Sequence, residues 1–307
     1  MNAVRTRARI RPAAIRRPDA ISHPDKIFWP QEGYTKRDLA EYYARVFSRL
    51  RPYVKDRLLT LERCPDGMRG TCFYQREAPQ GLPAGTVTKR IHDQSGTTTY
   101  VVGGSLETQL ALVSLGCIAV HVWSSRVRAP RQPDWICIDV DPGSGKFSDA
   151  ARAGRLVKAG FDELGLHSFP KTSGSRGLHV FVPIATGPDN DAVLAFAEAF
   201  VRRLAEAHAD DLTVEARVAA RRGRVYLDPF RNGFAQSVVA PYSVRRRPKA
   251  PFSAPLDWSE VSPRLDPARF NLGNVEKRLQ QPDPWEGFFR RRQSLTAAVR
   301  ALDRSRP

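Results

Sequence analysis

The run Ile136-Cys137-Ile138-Asp139-Val140-Asp141-Pro142-Gly143 constrains this chain more than any other. Its apolar residues predict a buried strand, and Pro142-Gly143 stops it at once. Strand side chains alternate, so Asp139 and Asp141 leave by the same face. Two close carboxylates repel, and burial penalises both. Divalent metal ions remove that penalty, which is how a site for phosphoryl or nucleotidyl transfer is built. Taken alone, an Asp-x-Asp strand could instead be a calcium site or a solvated edge.

Asp228 supplies a third acid. It ends Arg224-Val225-Tyr226-Leu227-Asp228 before Pro229, where it either joins the other two or caps the proline turn. Three carboxylates can hold two metals about 3.5–4 Å apart. Asp139 and Asp141 would bridge both ions. Asp228 would chiefly hold the one that activates a 3′-hydroxyl, while the other ion holds a triphosphate.

The second signal is Lys171-Thr172-Ser173-Gly174-Ser175-Arg176-Gly177-Leu178-His179. Its glycines and serines let backbone N–H groups converge on an anion. Ser173 and Arg176 add side-chain donors, and His179 opens the next strand. It is not a Walker loop, which needs Gly-x-x-x-x-Gly-Lys-Ser/Thr. It reads as a triphosphate cradle or as an ordinary glycine-rich turn. His121, in His121-Val122-Trp123, is either a core histidine or a group positioning metal or nucleotide. Gln236 and Ser237 precede a basic loop, and Arg245 is assigned to the triphosphate. Arg247 and Lys249 suit backbone phosphates.

Phe73-Tyr74-Gln75-Arg76 offers rings that stack on a base or pack in the core, beside a cation for phosphate. Lys26 either binds a terminal phosphate or is an exposed lysine beside an apolar anchor.

Charge agrees with a polyanionic partner. The 307 residues hold 49 Lys and Arg against 32 Asp and Glu, a formal net charge of +17. The excess is mostly arginine, which makes bidentate contacts with phosphate. No run approaches the roughly 18 apolar residues of a membrane span, so no membrane partner is expected. Cys64, Cys72, Cys117 and Cys137 lack Cys-x-x-Cys spacing. Cys64 and Cys72 flank a turn, yet thiols are the default in a reducing cytosol, which points to an intracellular protein.

The pattern is mixed α and β. Thr35-Lys36-Arg37-Asp38 reads as a capping box with a helix behind it. Strands are expected at 58–63, 71–76, 86–91, 97–102, 117–123, near 166–170, and at 178–182, 224–228 and 235–240. Helices are expected at 105–115, 148–164, 189–208 and near 285–302. Asp66-Gly67 and Ser95-Gly96 suit hairpin turns. Residues 1–20, with six arginines, read as a flexible basic arm. Residues 21–302 form one unit: an N-terminal lobe (21–115), a catalytic core (116–245), then a basic loop and C-terminal helices (246–302).

Together these motifs resemble the polymerase domain of bacterial DNA ligase D, in the archaeo-eukaryotic primase superfamily. The family's metal aspartates match Asp139, Asp141 and Asp228. Its Ser/His nucleotide motif matches Ser173 to His179, with Arg176 where many relatives have lysine. His-x-Trp matches His121 and Trp123, and the 5′-phosphate lysine matches Lys26. Phe-Phe-Gln-Lys is Phe73-Tyr74-Gln75-Arg76, and Ser-Val-Arg-x-Arg-Pro is Ser243 to Pro248.

The resemblance implies an α+β primase-polymerase fold of two interlocked mixed α/β lobes. It implies template-directed addition of nucleotides, often ribonucleotides, to primer 3′ ends at gaps and double-strand breaks in non-homologous end joining. NTP or dNTP is the substrate, with two Mn2+ (or Mg2+) ions. The implied partners are DNA with a gap, overhang or 5′-phosphate, a Ku-type end-binding protein and a separate ATP-dependent DNA ligase, in a bacterial cytoplasm at the nucleoid. A ligase needs Lys-x-Asp-Gly, and the nearest stretch is Cys64-Pro65-Asp66-Gly67, so the chain is expected to extend ends without sealing them. The alternatives are a primase that starts chains de novo, or a DNA-binding module with a dead site. A two-metal nuclease has no use for the cradle or Arg245.

Overall fold

The computed structural model describes residues 21–93 and 96–304. The expected basic arm at 1–20 and Ser95 of the second turn lie outside them. A short antiparallel pair, β1 (Ile27–Trp29) and β2 (Tyr34–Thr35), leads into α1 (Lys36–Val54). Next come β3 (Leu59–Arg63), β4 (Phe73–Gln75), the paired β5 (Thr88–Asp93) and β6 (Gly96–Val101), and α2 (Leu106–Ser114). Then β7 (Cys117–Val122), the pair β8 (Ser125–Arg126) and β9 (Ala129–Pro133), and β10 (Trp135–Pro142) precede α3 (Phe147–Glu163). The last strands are β11 (Phe169–Thr172), β12 (Leu178–Pro183), β13 (Leu212–Thr213), β14 (Val225–Asp228) and β15 (Val238–Val239), with α4 (Asn190–Ala207) after β12. The tail is mostly single turns, with α5 (Val275–Leu279) and α6 (Thr296–Arg304).

Helix starts follow local chemistry. At α1 the Thr35 hydroxyl accepts from the Asp38 N–H, and the Asp38 carboxylate accepts from the Thr35 N–H, so both arms of the capping box form. Asp189 caps α4 by accepting from the Ala192 N–H.

Two sheets organise the molecule. A five-stranded sheet has the order β11-β12-β10-β14-β13, and a four-stranded sheet the order β15-β7-β3-β4. In the first, Ile136, Ile138, Val140, Leu178, Val180, Val182, Val225 and Leu227 share one buried face. Helices α3 and α4 pack on this sheet. Gly154 of α3 lies so close that a Cβ there would stand 2.3 Å from a Leu178 methyl. The other face grades along β10 from Trp135 and Cys137 to Asp139 and Asp141. Its apolar end is sealed by the tail, where Trp285 packs on Phe181 and Phe169 at 5.2 and 6.0 Å between ring centres. The acidic end is left for chemistry.

Four expectations need correction. The border at residue 115 does not separate the sheets, because β7 pairs with β3 across it and β15 pairs with β7; the lobes interlock through strands distant in sequence. The terminal helix begins only at Thr296, since Pro284, Gly287 and the turn at Phe288–Arg290 interrupt the earlier stretch. The strand expected at 235–240 shrinks to Val238–Val239, because its first residues are turned, with Ala235 at φ +60°. Cys64 and Cys72 form a disulfide rather than two thiols, their Cα atoms held 4.3 Å apart by the antiparallel ends of β3 and β4. Among the described residues no helix is long and apolar enough to cross a membrane.

Candidate active site

Register brings the acids together. Asp139 stands opposite Asp228 on β14, and Asp141 stands opposite Tyr226. Cross-strand partners share a face, so all three carboxylates leave the sheet on the side away from α3 and α4. On its other edge β10 pairs with β12, placing Asp139 opposite His179, and β11 places Lys171 opposite His179. Lys171, His179, Asp139 and Asp228 therefore form one row across four strands.

The row is joined by side-chain contacts. Lys171 Nζ lies 2.8 Å from His179 Nδ1, and His179 Nε2 lies 3.3 Å from Asp139 Oδ1. Burial opposes charge on Asp139, but His179, Arg231 and Lys171 outweigh it and lower its pKa. Asp228 is shifted the other way. Burial raises it, and Asp139 adds to the rise against the pull of Arg231. Burial, then Lys171, takes His179 down to about 4. Burial takes Lys171 down to about 7.

Two arginines absent from the sequence reading hold the acids. Arg231 lies 3.0 Å from Asp228 and 4.0 Å from Asp139, and Arg221 lies 2.8 Å from Asp141. Arg231 had a signal, three residues after Asp228 on a turn opened by Pro229. Arg221 had none, being one of several arginines between 217 and 224. Asn232 was also missed. Fully buried, its side chain accepts from the Cys137 N–H and donates to the Cys137 carbonyl, both at 2.8 Å. It completes the edge of β10 where β14 has ended.

The described residues hold no closed cluster of three His, Cys, Asp or Glu side chains; Asp141 pairs with Arg221 and Asp228 with Arg231. The donor chemistry nonetheless fits a hard divalent cation. Three carboxylates share one face, and burial, with Asp139 adding to it, raises the pKa of Asp228, a penalty that a bound cation relieves.

The cradle forms beside this row. Ser173 Oγ accepts from the Ser175 and Gly177 N–H groups at 3.2 and 3.1 Å, so its hydroxyl oxygen shapes the turn. A Cβ at Gly174 would meet Arg245 Cγ at 2.5 Å, and one at Gly177 would meet the Val140 carbonyl at 2.7 Å. These glycines let Arg245 and β10 approach. Arg245 donates to the Ser173 carbonyl at 3.0 Å, while its Nε is buried with no hydrogen-bond partner. Arg176 is exposed and lies against Gly145, just past Asp141.

The four-stranded sheet contributes His121, which pairs in register with Thr60 and Val239. Burial, then Arg245, Lys171, His179 and Arg231, depress its pKa strongly, which places it near the cradle and the row. Its Nε2 is buried without a partner. Tyr74 meets its ring edge-on at 5.4 Å. Trp123, by contrast, packs in a core with Tyr100 and Phe234. Ser237 and exposed Gln236 lead into β15 beside His121.

The remaining residues lie around this centre. Phe73 and Tyr74 are both exposed, at 41% and 58%, so neither is a core ring. Arg63 stacks over Phe73, and Arg76 lies by the Tyr100 hydroxyl. Lys26 pairs with Asp66 at 2.5 Å and donates to the Pro65 carbonyl at 2.9 Å, so the disulfide-closed loop positions it. Nearby Lys36, missed in the sequence, is buried and donates to the Ser22 and Ser114 carbonyls. Arg247 and Lys249 are exposed, while Arg246 pairs with buried Glu62 at 2.9 Å.

Comparison with known proteins bears on the family and the fold. The family model described as LigD, primase-polymerase domain, matches residues 35–285. A multifunctional non-homologous end joining protein LigD of Pseudomonas aeruginosa is 31% identical over 87% of this chain and 32% of its own length. A bifunctional non-homologous end joining protein LigD of Bacillus subtilis is 29% identical over 87% of this chain and 44% of its own. The chain thus spans about a third to under half the length of these curated relatives. The solved polymerase domain of Mycobacterium tuberculosis ligase D, in complex with DNA, superposes with a TM-score of 0.82 at 26% identity, covering 88% of this chain and 97% of that one.

Proposed function

The chain belongs to the LigD primase-polymerase family, and we propose that it is a metal-dependent polymerase filling gaps and broken DNA ends in non-homologous end joining. The observation that carries this reading is the opposition of Asp139 and Asp228, with Asp141 on the same face and the Ser173–Arg245 cradle alongside. A nuclease would need the carboxylates alone. Here Arg245, which donates to the Ser173 carbonyl, and His121 also keep buried polar atoms without partners, Nε and Nε2, as suits an incoming triphosphate.

The three aspartates would hold two divalent ions, Mn2+ or Mg2+, which when bound lower the pKa of a primer 3′-hydroxyl and offset charge on the leaving pyrophosphate. Arg245 and Arg176, beside the turn that Ser173 Oγ shapes by accepting from the Ser175 and Gly177 N–H groups, orient the triphosphate. His179 and His121, both kept neutral by burial and by neighbouring cations, act as hydrogen-bond groups rather than as bases. Arg231, which contacts both Asp139 and Asp228, and Arg221, which pairs with Asp141, offset part of the acids' charge.

Lys26 is assigned to a downstream 5′-phosphate, Phe73, Tyr74 and Arg76 to the template, and Arg247 and Lys249 to backbone phosphates. Ribonucleotides are the favoured substrate, with a Ku-type protein and an ATP-dependent ligase as partners on the bacterial nucleoid. The test is primer extension on a gapped duplex with a 5′-phosphorylated downstream strand and manganese, comparing NTP and dNTP. Extension with neither would overturn the proposal. Equal synthesis without a primer would favour the priming alternative.

A further inference from the structure

Lys171 is fully buried, yet no anion touches its ammonium. Its neighbours are His179 Nδ1 at 2.8 Å, Ser253 Oγ at 2.6 Å and the Phe181 ring face, 5.4 Å from its centre. Burying an amine without a counter-charge is unfavourable, and nothing in the fold requires a lysine at that point of β11. Phe169, two residues earlier on the same strand and face, is apolar.

Each partner constrains the next. Ser253 Oγ donates to the Thr172 carbonyl at 2.7 Å, so its hydrogen is committed and it can only accept from Lys171. On the far side of His179, Asp139 accepts only. A neutral imidazole between an amine and a carboxylate then has one satisfied arrangement, in which Nδ1 accepts from Lys171 and Nε2 carries the hydrogen. Charged or neutral, Lys171 has an N–H for Nδ1, so the arrangement does not depend on its titration.

We propose that Lys171 is a positioning residue that fixes His179 as its Nε2–H tautomer and aims that hydrogen at Asp139 and the triphosphate beside it. Lys171 itself touches neither nucleotide nor DNA. It acts through His179 as an outer partner orients a ligating group. Ser253 ties the device to the segment following the basic loop, since its N–H donates to the Ser243 carbonyl and its own carbonyl accepts from Tyr242. The lysine therefore also links the cradle strand to the chain that carries Arg245. The inference rests on the polymerase reading for its consequence in turnover, but not for its structural content.

The experiment has two arms. In the first, the protein labelled with 15N-histidine is observed by NMR without nucleotide or metal. His179 should show a single tautomer with Nε2 protonated in the wild type and a loss of that uniformity in Lys171→Met. A protonated Nδ1 in the wild type would overturn the proposal, whether or not the variant folds and whether or not the protein polymerises. In the second, Lys171→Met should lower kcat/KM for the incoming nucleotide by about 10- to 100-fold with DNA affinity unchanged. Adding it to His179→Ala should cause no further loss. Full activity in a folded Lys171→Met, or additive losses in the double variant, would refute it. Absence of extension by the wild type would count against the polymerase reading alone, leaving the tautomer to be judged by NMR.

Discussion

Asp139 faces Asp228 directly across the β10–β14 ladder, and Arg231 bridges the two at 4.0 and 3.0 Å. A pair of like charges is thus held on adjacent strands by one cation three residues beyond the second acid. The arrangement favours any species that brings more positive charge, and it sets what loss of either acid should do.

Asp139→Ala and Asp141→Ala should each lower primer extension by at least about 100-fold, as expected when metal-ligating oxygen is removed. DNA affinity should survive, because the phosphate contacts assigned to Arg247, Lys249 and Arg76 lie elsewhere. Extension rates and gel mobility shifts measured on the same preparations check this. Wild-type activity in either variant would remove the metal site.

Replacing Lys26 by Ala should abolish the preference for a downstream 5′-phosphate. Its pair with Asp66 is solvent-exposed, so stability should change little. Thermal melts and a comparison of gapped substrates with and without the phosphate separate the two effects. A retained preference would remove the assignment.

DNA affinity should fall steeply with salt, given the formal charge of +17. Arg247→Ala and Lys249→Ala should each flatten the slope of log K against log salt by about one. A titration at several ionic strengths, repeated on unrelated sequences, tests whether the loss is uniform.

Asn232→Ala should destabilise the protein by about 2–4 kcal/mol, because it leaves a buried N–H and C=O of Cys137 unpaired. Asp228, four residues back, loses its fixed approach, so activity should drop more than the fraction folded does. Chemical denaturation beside extension assays shows whether it does.

Stability should respond to pH through Lys171. Its pKa falls from an ordinary 10.5 to about 7 because burial disfavours the ammonium. Between those values the unfolded chain binds the extra proton, so stability increases as pH rises from about 7 towards 10.5. Lys171→Met should lack that increment. Denaturation midpoints of both proteins across this range measure the difference, and parallel curves would contradict it.

Much of the site was legible in the sequence because its signals are local. Alternation placed Asp139 and Asp141 on one face, the glycines and serines of 173–177 marked the cradle, and Thr35 to Asp38 announced α1. What the chain alone could not give was register. Nothing near Asp139 says that Asp228, His179 and Lys171 lie in its row, since pairing is set by contacts among distant strands. The same is true of Arg221, one arginine among several until Asp141 selected it, and of Asn232, which needed the exposed edge of β10. Cys64 and Cys72 became a disulfide only because β3 and β4 close antiparallel. Composition and short-range periodicity fixed which groups are present and which way they face. Only the folded sheet decided which of them meet, because meeting depends on long-range pairing that no local pattern encodes.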